Sequence, residues 1–440
     1  MNKTIVESLE SRVLLSYNVT SLADNGNSGT LRWAIQQADA AGGAQTITFA
    51  ASLTASGPAT IDLNGNVLEL DDTSGKLTIQ GPGANLLTLD AQSKSGVFSV
   101  DGGSSAEIDG LSITGGNSSG INNGGVLVVT GCYIYDNLNG GGINCDDGGA
   151  GYGSTTVSDC TITDNTAASY GGGIALSNGN VLTVALALTN CTITANTAGT
   201  SGGGIDNDNG LMSITDCTIV GNTAPSQMGG GIFNNSVDNY AVCTLHGTIV
   251  AGNTGGDLSG GGINGTYNLI RDGSGGLSAA SSSHNILGTA SSPIDPLLAQ
   301  LGNYGGPTQT MALLPNSPAI GHGASFNVTT DQRGFPRPGP SGYDIGAFQT
   351  QANPLVVNTT LDDPIGVGLL SLRDATNLAD AMGGNQTITF GASLTASGPA
   401  TIDLNGNVLE LDDTSGKLTI QGPGANLLTL DAQSKSGVFS

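Results

Sequence analysis

The side chains that could do chemistry here are few, and their spacing argues against an active centre. Six cysteines and three histidines stand among 440 residues. His246, His284 and His322 are scattered, without the separations that bring imidazoles onto one ion, so no transition-metal site is expected. Asp206-Asn207-Asp208-Asn209-Gly210 has the oxygen-rich look of a calcium loop, but its glycine comes one position early and no glutamate closes it. Turn chemistry is the favoured reading of that stretch, with Ca2+ as the minor alternative, and no other cofactor is expected. A polysaccharide lyase needs a basic side chain beside a neutralising charge to take a sugar proton. Between residues 102 and 265 there is no lysine or arginine. The nine tyrosines and one tryptophan form no evident sugar-stacking platform, Tyr133, Tyr135, Tyr152 and Tyr170 being the nearest approach.

The scaffold that holds these residues has an unusual composition. Glycine, at 71 residues, has roughly twice its ordinary share, while charged residues make up 10% and aromatics 4%. Val, Ile and Leu arrive in short bursts between stretches of Gly, Asn, Asp, Ser and Thr, the pattern of many short strands joined by tight turns. With 38% hydrophobic residues the chain has the material for a core, unlike a disordered one. The class is all-β. A net charge of −24 opposes nucleic-acid binding, which needs Lys and Arg to displace phosphate counterions, and reads as a solvated acidic surface. No stretch has the length of a transmembrane helix, so no membrane span is expected in this sequence.

An internal repeat identifies the scaffold. Gly131-Cys132-Tyr133-Ile134-Tyr135-Asp136-Asn137 is followed by Asp159-Cys160-Thr161-Ile162-Thr163-Asp164-Asn165. Asn190-Cys191-Thr192-Ile193-Thr194-Ala195-Asn196 and Asp216-Cys217-Thr218-Ile219-Val220-Gly221-Asn222 come next. His246-Gly247-Thr248-Ile249-Val250-Ala251-Gly252-Asn253 is a fifth copy, with one residue too many or a shifted frame, and Gly110-Leu111-Ser112-Ile113-Thr114 is an earlier, divergent one. A second marker, Gly-Gly-Gly-Ile, begins at Gly140, Gly171, Gly202, Gly229 and Gly260, and the period is 26 to 31 residues. Apolar residues at helical spacing are missing, the leucine-rich signature is absent, and propeller blades are longer. One coil of a right-handed parallel β-helix fits, with two or three short strands per coil.

Stacking puts like on like about 4.8 Å apart, and alternation along Cys-Thr-Ile sends Cys and Ile to one face and Thr to the other. Cys132, Cys160, Cys191 and Cys217 are expected as an inward column ended by Leu111 and Gly247, beside a column of Ile134, Ile162, Ile193, Ile219 and Ile249. Asn137, Asn165, Asn196, Asn222 and Asn253 are expected at a turn, as residues tolerant of positive φ, with their amides bonded coil to coil. The glycine triplets would make corners too tight for a Cβ. Asp159, Asp216 and His246 would share the position before the cysteine column. In-register parallel strands give poor disulfide torsions, so buried free thiols are favoured for the column; whether Cys145 and Cys243 pair is open.

Both ends of such a stack need covers. Leu31, Ala34, Ile35 and Ala38 share one face of a helix with Thr30 as N-cap, ahead of the strand-like Gln45-Thr46-Ile47-Thr48-Phe49. This opening resembles the N-terminal caps of bacterial β-helix surface proteins known by a Cys-Ser-Leu-Arg-Glu-Ala (CSLREA) motif, here Gly29-Thr30-Leu31-Arg32-Trp33-Ala34. Towards the other end come Asp295-Pro296-Leu297-Leu298, Asn303-Tyr304-Gly305-Gly306-Pro307-Thr308 and Leu313-Leu314-Pro315-Asn316-Ser317-Pro318-Ala319-Ile320. Thr330-Asp331-Gln332-Arg333-Gly334-Phe335-Pro336-Arg337 and Asp344-Ile345-Gly346-Ala347-Phe348 follow. That ordered set resembles the C-terminal region of the bacterial choice-of-anchor Q β-helix proteins. Leu9-Glu10-Ser11-Arg12-Val13-Leu14-Leu15-Ser16 resembles a short N-terminal motif of large secreted planctomycete proteins. The resemblances imply a pectate-lyase-like β-helix at the cell surface or outside the cell, and they bring no catalytic residues.

The pattern restarts after Asn353: Leu370-Ser371-Leu372-Arg373-Asp374-Ala375-Thr376 repeats the cap helix, and residues 386–440 repeat residues 45–99 with Gly391 in place of Ala50 as the single difference. The expected organisation is a targeting-like segment, 1–18, then a β-helix unit, 19–352, with an N-terminal cap at 19–58, coils at 59–292 and a C-terminal cap region at 293–350. The start of a second unit occupies 355–440, expected as part of a longer tandem array. β-Helices also carry polysaccharide lyases and glycoside hydrolases, and the hydrolases use clustered Asp residues near a His-Gly. Asp146-Asp147 and His246-Gly247 match parts of that set, but its Asn-Thr-Asp and Arg-Ile-Lys companions are missing. The sequence reads as a non-catalytic extracellular or cell-surface structural or adhesion module that binds polysaccharide or cell-envelope and matrix components weakly through Asn and Thr ladders. The alternative is a carbohydrate-active enzyme. No catalytic residue is nominated.

Overall fold

The structure, a computed structural model, describes residues 15–146, 153–177, 185–235, 241–362 and 367–440. Most of the targeting-like motif, Asp147 and Tyr152 lie outside these residues. Short strands stack into three parallel sheets, of 11, 8 and 10 strands, that run the length of the first unit. Each central coil contributes one strand to each sheet, and this is a parallel β-helix. The first sheet runs from Leu15–Val19 to Leu277–Ser283, the second from Leu68–Leu70 to Leu258–Gly260, and the third from Ala59–Asp62 to Ile286–Leu287.

The period-two side-chain alternation decides what is inside. Val126–Thr130 buries Leu127 and Val129, which sit on Thr155 and Val157 of the next coil, then on Leu186 and Leu188. Rows of this kind, coil upon coil, fill one continuous apolar core. Corners are tight: a Cβ on Gly203 would lie 2.5 Å from the carbonyl oxygens of Gly230 and Thr223, so no side chain fits there.

Helix α1 (Leu31–Ala41) closes the first coil, burying Leu31, Ala34, Ile35 and Ala38 against the strands at Leu15–Val19, Gln45–Phe49 and Leu68–Leu70. Thr30 Oγ1 accepts the Trp33 amide at its N-terminus. Arg32 staples this lid to the coil below: its guanidinium grips Asp24 at 2.7 and 2.9 Å and donates to the carbonyls of Val67 and Asn66 at 2.8 and 2.6 Å.

Three expectations about the repeat require correction. Thr215 pairs with His246, Thr218 with Ile249 and Ile219 with Val250, so the fifth copy keeps the common length and its frame is shifted by one. Val250 therefore sits in the isoleucine column, Thr248 in the cysteine column, and Ile249 faces outward; Gly247, not His246, is level with Asp216. The fifth glycine triplet is also out of step, since Leu258 pairs with Ile232 while Ile263 belongs to the first sheet and pairs with Cys243. Finally, the ladder asparagines do not themselves adopt positive φ. The residue before each does so: Asp136, Asp164, Ala195, Gly221 and Gly252, with φ from 52 to 71°. That kink turns the following Asn side chain into the core.

Ala195 is the poor fit in that series, because a Cβ at φ 56° crowds its own backbone. Ala195→Gly is expected to raise stability by about 0.5–1 kcal/mol, seen as a higher urea midpoint. A lower midpoint would mean that the corner is not strained.

Residues 293–350, expected to cap the end of the stack, lie along its side. This strap runs over the outer face of the third sheet from Gly131, where Pro307 approaches, past Thr161, Thr192 and Thr218, to Ile249. The threonine column expected to face solvent is buried for that reason, with Thr161, Thr192 and Thr218 all at most 1% exposed.

The chain then forms helix α2 (Leu372–Met382), begun by a Ser371/Asp374 capping box. Arg373 repeats the staple of Arg32, gripping Asp362 and the carbonyls of Val408 and Asn407. The second cap seats on the strap: Gly306 donates to Leu369, Gly368 to the Arg333 carbonyl and Asn377 to the Asn303 carbonyl.

Candidate functional site

Two corner columns and the strap hold nearly all of the residues singled out from the sequence. In the first corner, Asn137, Asn165, Asn196, Asn222 and Asn253 form an unbroken ladder, the first four fully buried. From Asn165 onward each side-chain oxygen accepts both the backbone and side-chain N–H of the Asn one coil earlier, at 2.9–3.1 Å, while Asn137 Oδ1 accepts the Gly116 amide. Each of the first four side-chain nitrogens also donates to the carbonyl two residues before it and to one a coil away, as Asn196 does to Thr194 and Ile162. Asp257 ends the ladder by accepting from Asn253. The columns satisfy backbone groups that the corner takes out of the sheets.

The cysteine corner obeys the same rule with thiols. Cys132, Cys160, Cys191 and Cys217 each donate S–H to the carbonyl two residues earlier, at 3.0–3.3 Å. Cys160 and Cys217 accept the backbone N–H of Cys132 and Cys191. The column continues into Thr248, which accepts the Cys217 amide, then into Asn268 and Asn285. Burial away from cations pushes the Cys160 and Cys217 thiols well above their usual range. All six cysteines are free; Cys145 lies in the second sheet and Cys243 in the first, on different walls. Because Thr248 already performs this role, Cys217→Thr should stay within about 1 kcal/mol of the parent, whereas the isosteric Cys217→Val, which orphans the Cys191 amide, should cost about 1–2 kcal/mol more in a denaturant titration. Equal costs would show that the thiol only fills space.

Ahead of the cysteines runs a column of left-handed turn residues, Asp159, Asn190 and Asp216, with φ of 55, 52 and 51°. The strap covers them. Asn190 Nδ2 donates to Asp159 at 3.1 Å and to the strap carbonyl of Thr330 at 3.0 Å, and its Oδ1 is buried without a partner. Burial pushes both carboxyls up to about 7; Cys191 adds to the shift at Asp159, and Arg337 of the strap opposes it at both. His246, expected in this column, is level with Thr215 instead, and its pKa is lowered by burial.

At the centre of the strap, Gln332 is fully buried and reaches into the threonine face, donating to Thr161 and Thr308 at 3.0 Å and accepting from Thr192 at 2.6 Å. Beside it Arg333, 2% exposed, forks onto Asp331 at 2.7 and 3.0 Å and lies 3.6 Å above the Phe348 ring.

The calcium-like stretch does not converge. Along Ile205–Asp208 successive side chains point to opposite faces: Asp206 bonds Ser201 while Asn207 turns inward to Asn234 at 2.6 Å and to both backbone groups of Gly210. Burial pushes Asp206 up to about 6. Asp146 and His246 end strands of different sheets and are not brought together. Among the described residues no three His, Cys, Asp or Glu side chains converge as metal ligands would.

The aromatic residues do gather, at a place sequence reading missed. His246 stacks on Phe326 of the strap at 4.9 Å, and Tyr267 stacks on His284 at 4.6 Å, with Phe326 edge-on to Tyr267. His284 and Tyr267 occupy the left-handed corner of the last coils, φ 57 and 59°, an unusual position for aromatics and the one local signal. Tyr133 and Tyr135 pack 4.7 Å apart on the outer side of one strand, and burial, with Asp164, Tyr135 and Asp136 nearby, pushes Tyr133 up to about 12.

The fold and these faces define the chain as a parallel β-helix with a lateral strap. No family model matches it, and no curated protein is similar to it in sequence. The crystal structure of pectate lyase Pel9A resembles it at 14% identity and a TM-score of 0.47, over 77% of this chain and 96% of that one. The PL6 family alginate lyase AlyGC resembles it at 12% identity and a TM-score of 0.23, over 95% of this chain and 71% of that one. The likeness is one of solenoid fold. Among the described residues no helix is long and apolar enough to cross a membrane.

Proposed function

We propose that this chain is a non-catalytic structural or adhesion module, placed at the cell surface or outside the cell, that meets polysaccharide or cell-envelope and matrix components through the outer faces of its coils. The observation that carries this reading is the strap. The long outer face of the third sheet, where a stack of identical coils would offer an extended polar track, is occupied by the chain's own Gln332, Thr308 and Thr310. The coils themselves commit their amides and thiols to internal ladders, and residues 102–265 have no lysine or arginine to take a proton from a sugar. The CSLREA-like and choice-of-anchor Q-like motifs support the same placement.

A carbohydrate-active enzyme is the second reading, favoured by Asp159 and Asp216. Carboxyls held protonated near neutral pH are what a general acid requires. Incubating the whole chain with a panel of polysaccharides, with and without calcium, separates the two. Saturable retention on one polymer with no new reducing or unsaturated ends is the result expected. Turnover lost in Asp159→Asn would replace the first reading with the second.

A further inference from the structure

The strap is held in two different ways along its length. Over the last coils its contact is apolar: outward-facing Ile249 and Leu269 share a cluster with Ala312, Leu313, Ile345 and Phe348. Over the middle coils it is polar, resting on Gln332 among Thr161 and Thr192, on Thr308 Oγ1 donating to the Asp159 carbonyl, and on Asn190 donating to Thr330. Asp159 and Asp216 flank Asn190 under that polar half, and neither has a cationic partner within ion-pair distance among the described residues. Arg337 is the nearby cation, but its guanidinium is engaged by the carbonyls of Thr330, Asp344 and Gly346. Asp331 of the strap faces the same region and is taken up by Arg333. On the coil side the neighbours are Cys191 and Cys217, and His246 follows on the next coil.

We propose that the polar half of the strap is a releasable cover, hinged on its apolar half, which opens the Thr161 and Thr192 face of the third sheet when Asp159 and Asp216 ionise. Closing the strap over a carboxyl favours its neutral form, so closure is fully favoured below the free-carboxyl value of 3.8 and is lost as pH rises to about 7. Over that window each carboxyl raises the opening constant by about tenfold per pH unit, and the pair by about a hundredfold. His246, lowered by burial, acts in the opposite sense as pH falls, with one group against two. Asn is the natural control substitution: Asn190 holds the same left-handed turn between them.

Hydrogen exchange of the full chain between pH 5 and 8, corrected for intrinsic rates, tests this. Peptides covering residues 305–311 and 328–338 should open at least about a hundredfold more at pH 8, while peptides from residues 76–130 stay constant. Asp159→Asn/Asp216→Asn should flatten the strap profile and leave those coils protected. Equal strap protection at pH 5 and 8 in the parent chain would overturn the proposal, as would a double variant that keeps the parent's pH dependence.

Discussion

Replacing Asn196 with leucine is expected to destabilise the coil stack by about 4 kcal/mol, although the two side chains share a branched heavy-atom shape and the site is fully buried. Leucine removes the acceptor for the Asn165 backbone and side-chain N–H, at 3.0 and 2.9 Å, and the donor to the carbonyls of Ile162 and Thr194, each at 2.9 Å. A buried donor left without a partner costs about 1–3 kcal/mol, and water cannot enter a corner packed coil on coil. In a solenoid the damage should be local first, because each coil contacts only its neighbours. Exchange of the strands at Thr161–Thr163 and Thr192–Thr194 should accelerate before that of Lys76–Gln80. A loss below about 1 kcal/mol would mean that the ladder is a consequence of stacking and not one of its causes.

The second large effect is expected at Arg333. Arg333→Met keeps an unbranched stem over Phe348 but leaves the Asp331 carboxylate, 0% exposed, without its cation, at a cost of about 3–5 kcal/mol. Asp331 also accepts the amides of Arg333, Phe335 and Gln349, so the pair organises the turn on which the second cap sits. The first sign should be loss of exchange protection in the strap and in α2, with coils 45–130 unchanged. Adding Asp331→Asn should restore part of the loss, because the unpaired charge is then gone. Equal stability of single and double variants would show that charge is not the cause.

Much of the fold was legible because a β-helix writes its geometry as a period. The cysteines and isoleucines at constant spacing placed the inward rows, and only four-residue helical spacing or a different period would have argued otherwise. The fifth copy was misread because either frame of Thr248-Ile249-Val250 presents an apolar residue inward, and local pattern cannot choose between them. Only the pairing of Thr215 with His246 does so. Ile249, Leu269 and Ile286, standing where the middle coils carry threonine, were the available sign that something covers this face. What covers it lies 140 residues away from Asn190 and Thr192 in the chain, beyond the reach of any local rule. The His246, Phe326, Tyr267 and His284 cluster was hidden for the same reason.

The two copies of one sequence draw the boundary most clearly. Residues 45–99 and 386–440 differ at one position, and four strands of the first copy (Gln45–Phe49, Ala59–Asp62, Lys76–Gln80 and Leu87–Asp90) recur in the second, with the equivalent arginine stapling the cap. Local pattern, turn chemistry and alternation are properties of the sequence, and they recur wherever it does. Burial is not fixed by that pattern alone: Ile79, Leu87, Leu89 and Phe98 are fully buried in the first copy. In the first copy the coil at Ser105–Asp109 and Ser112–Thr114 lies on those strands. A residue's place in the pleat is set by its neighbours along the chain, but its removal from water depends on which coil or strap is laid across it.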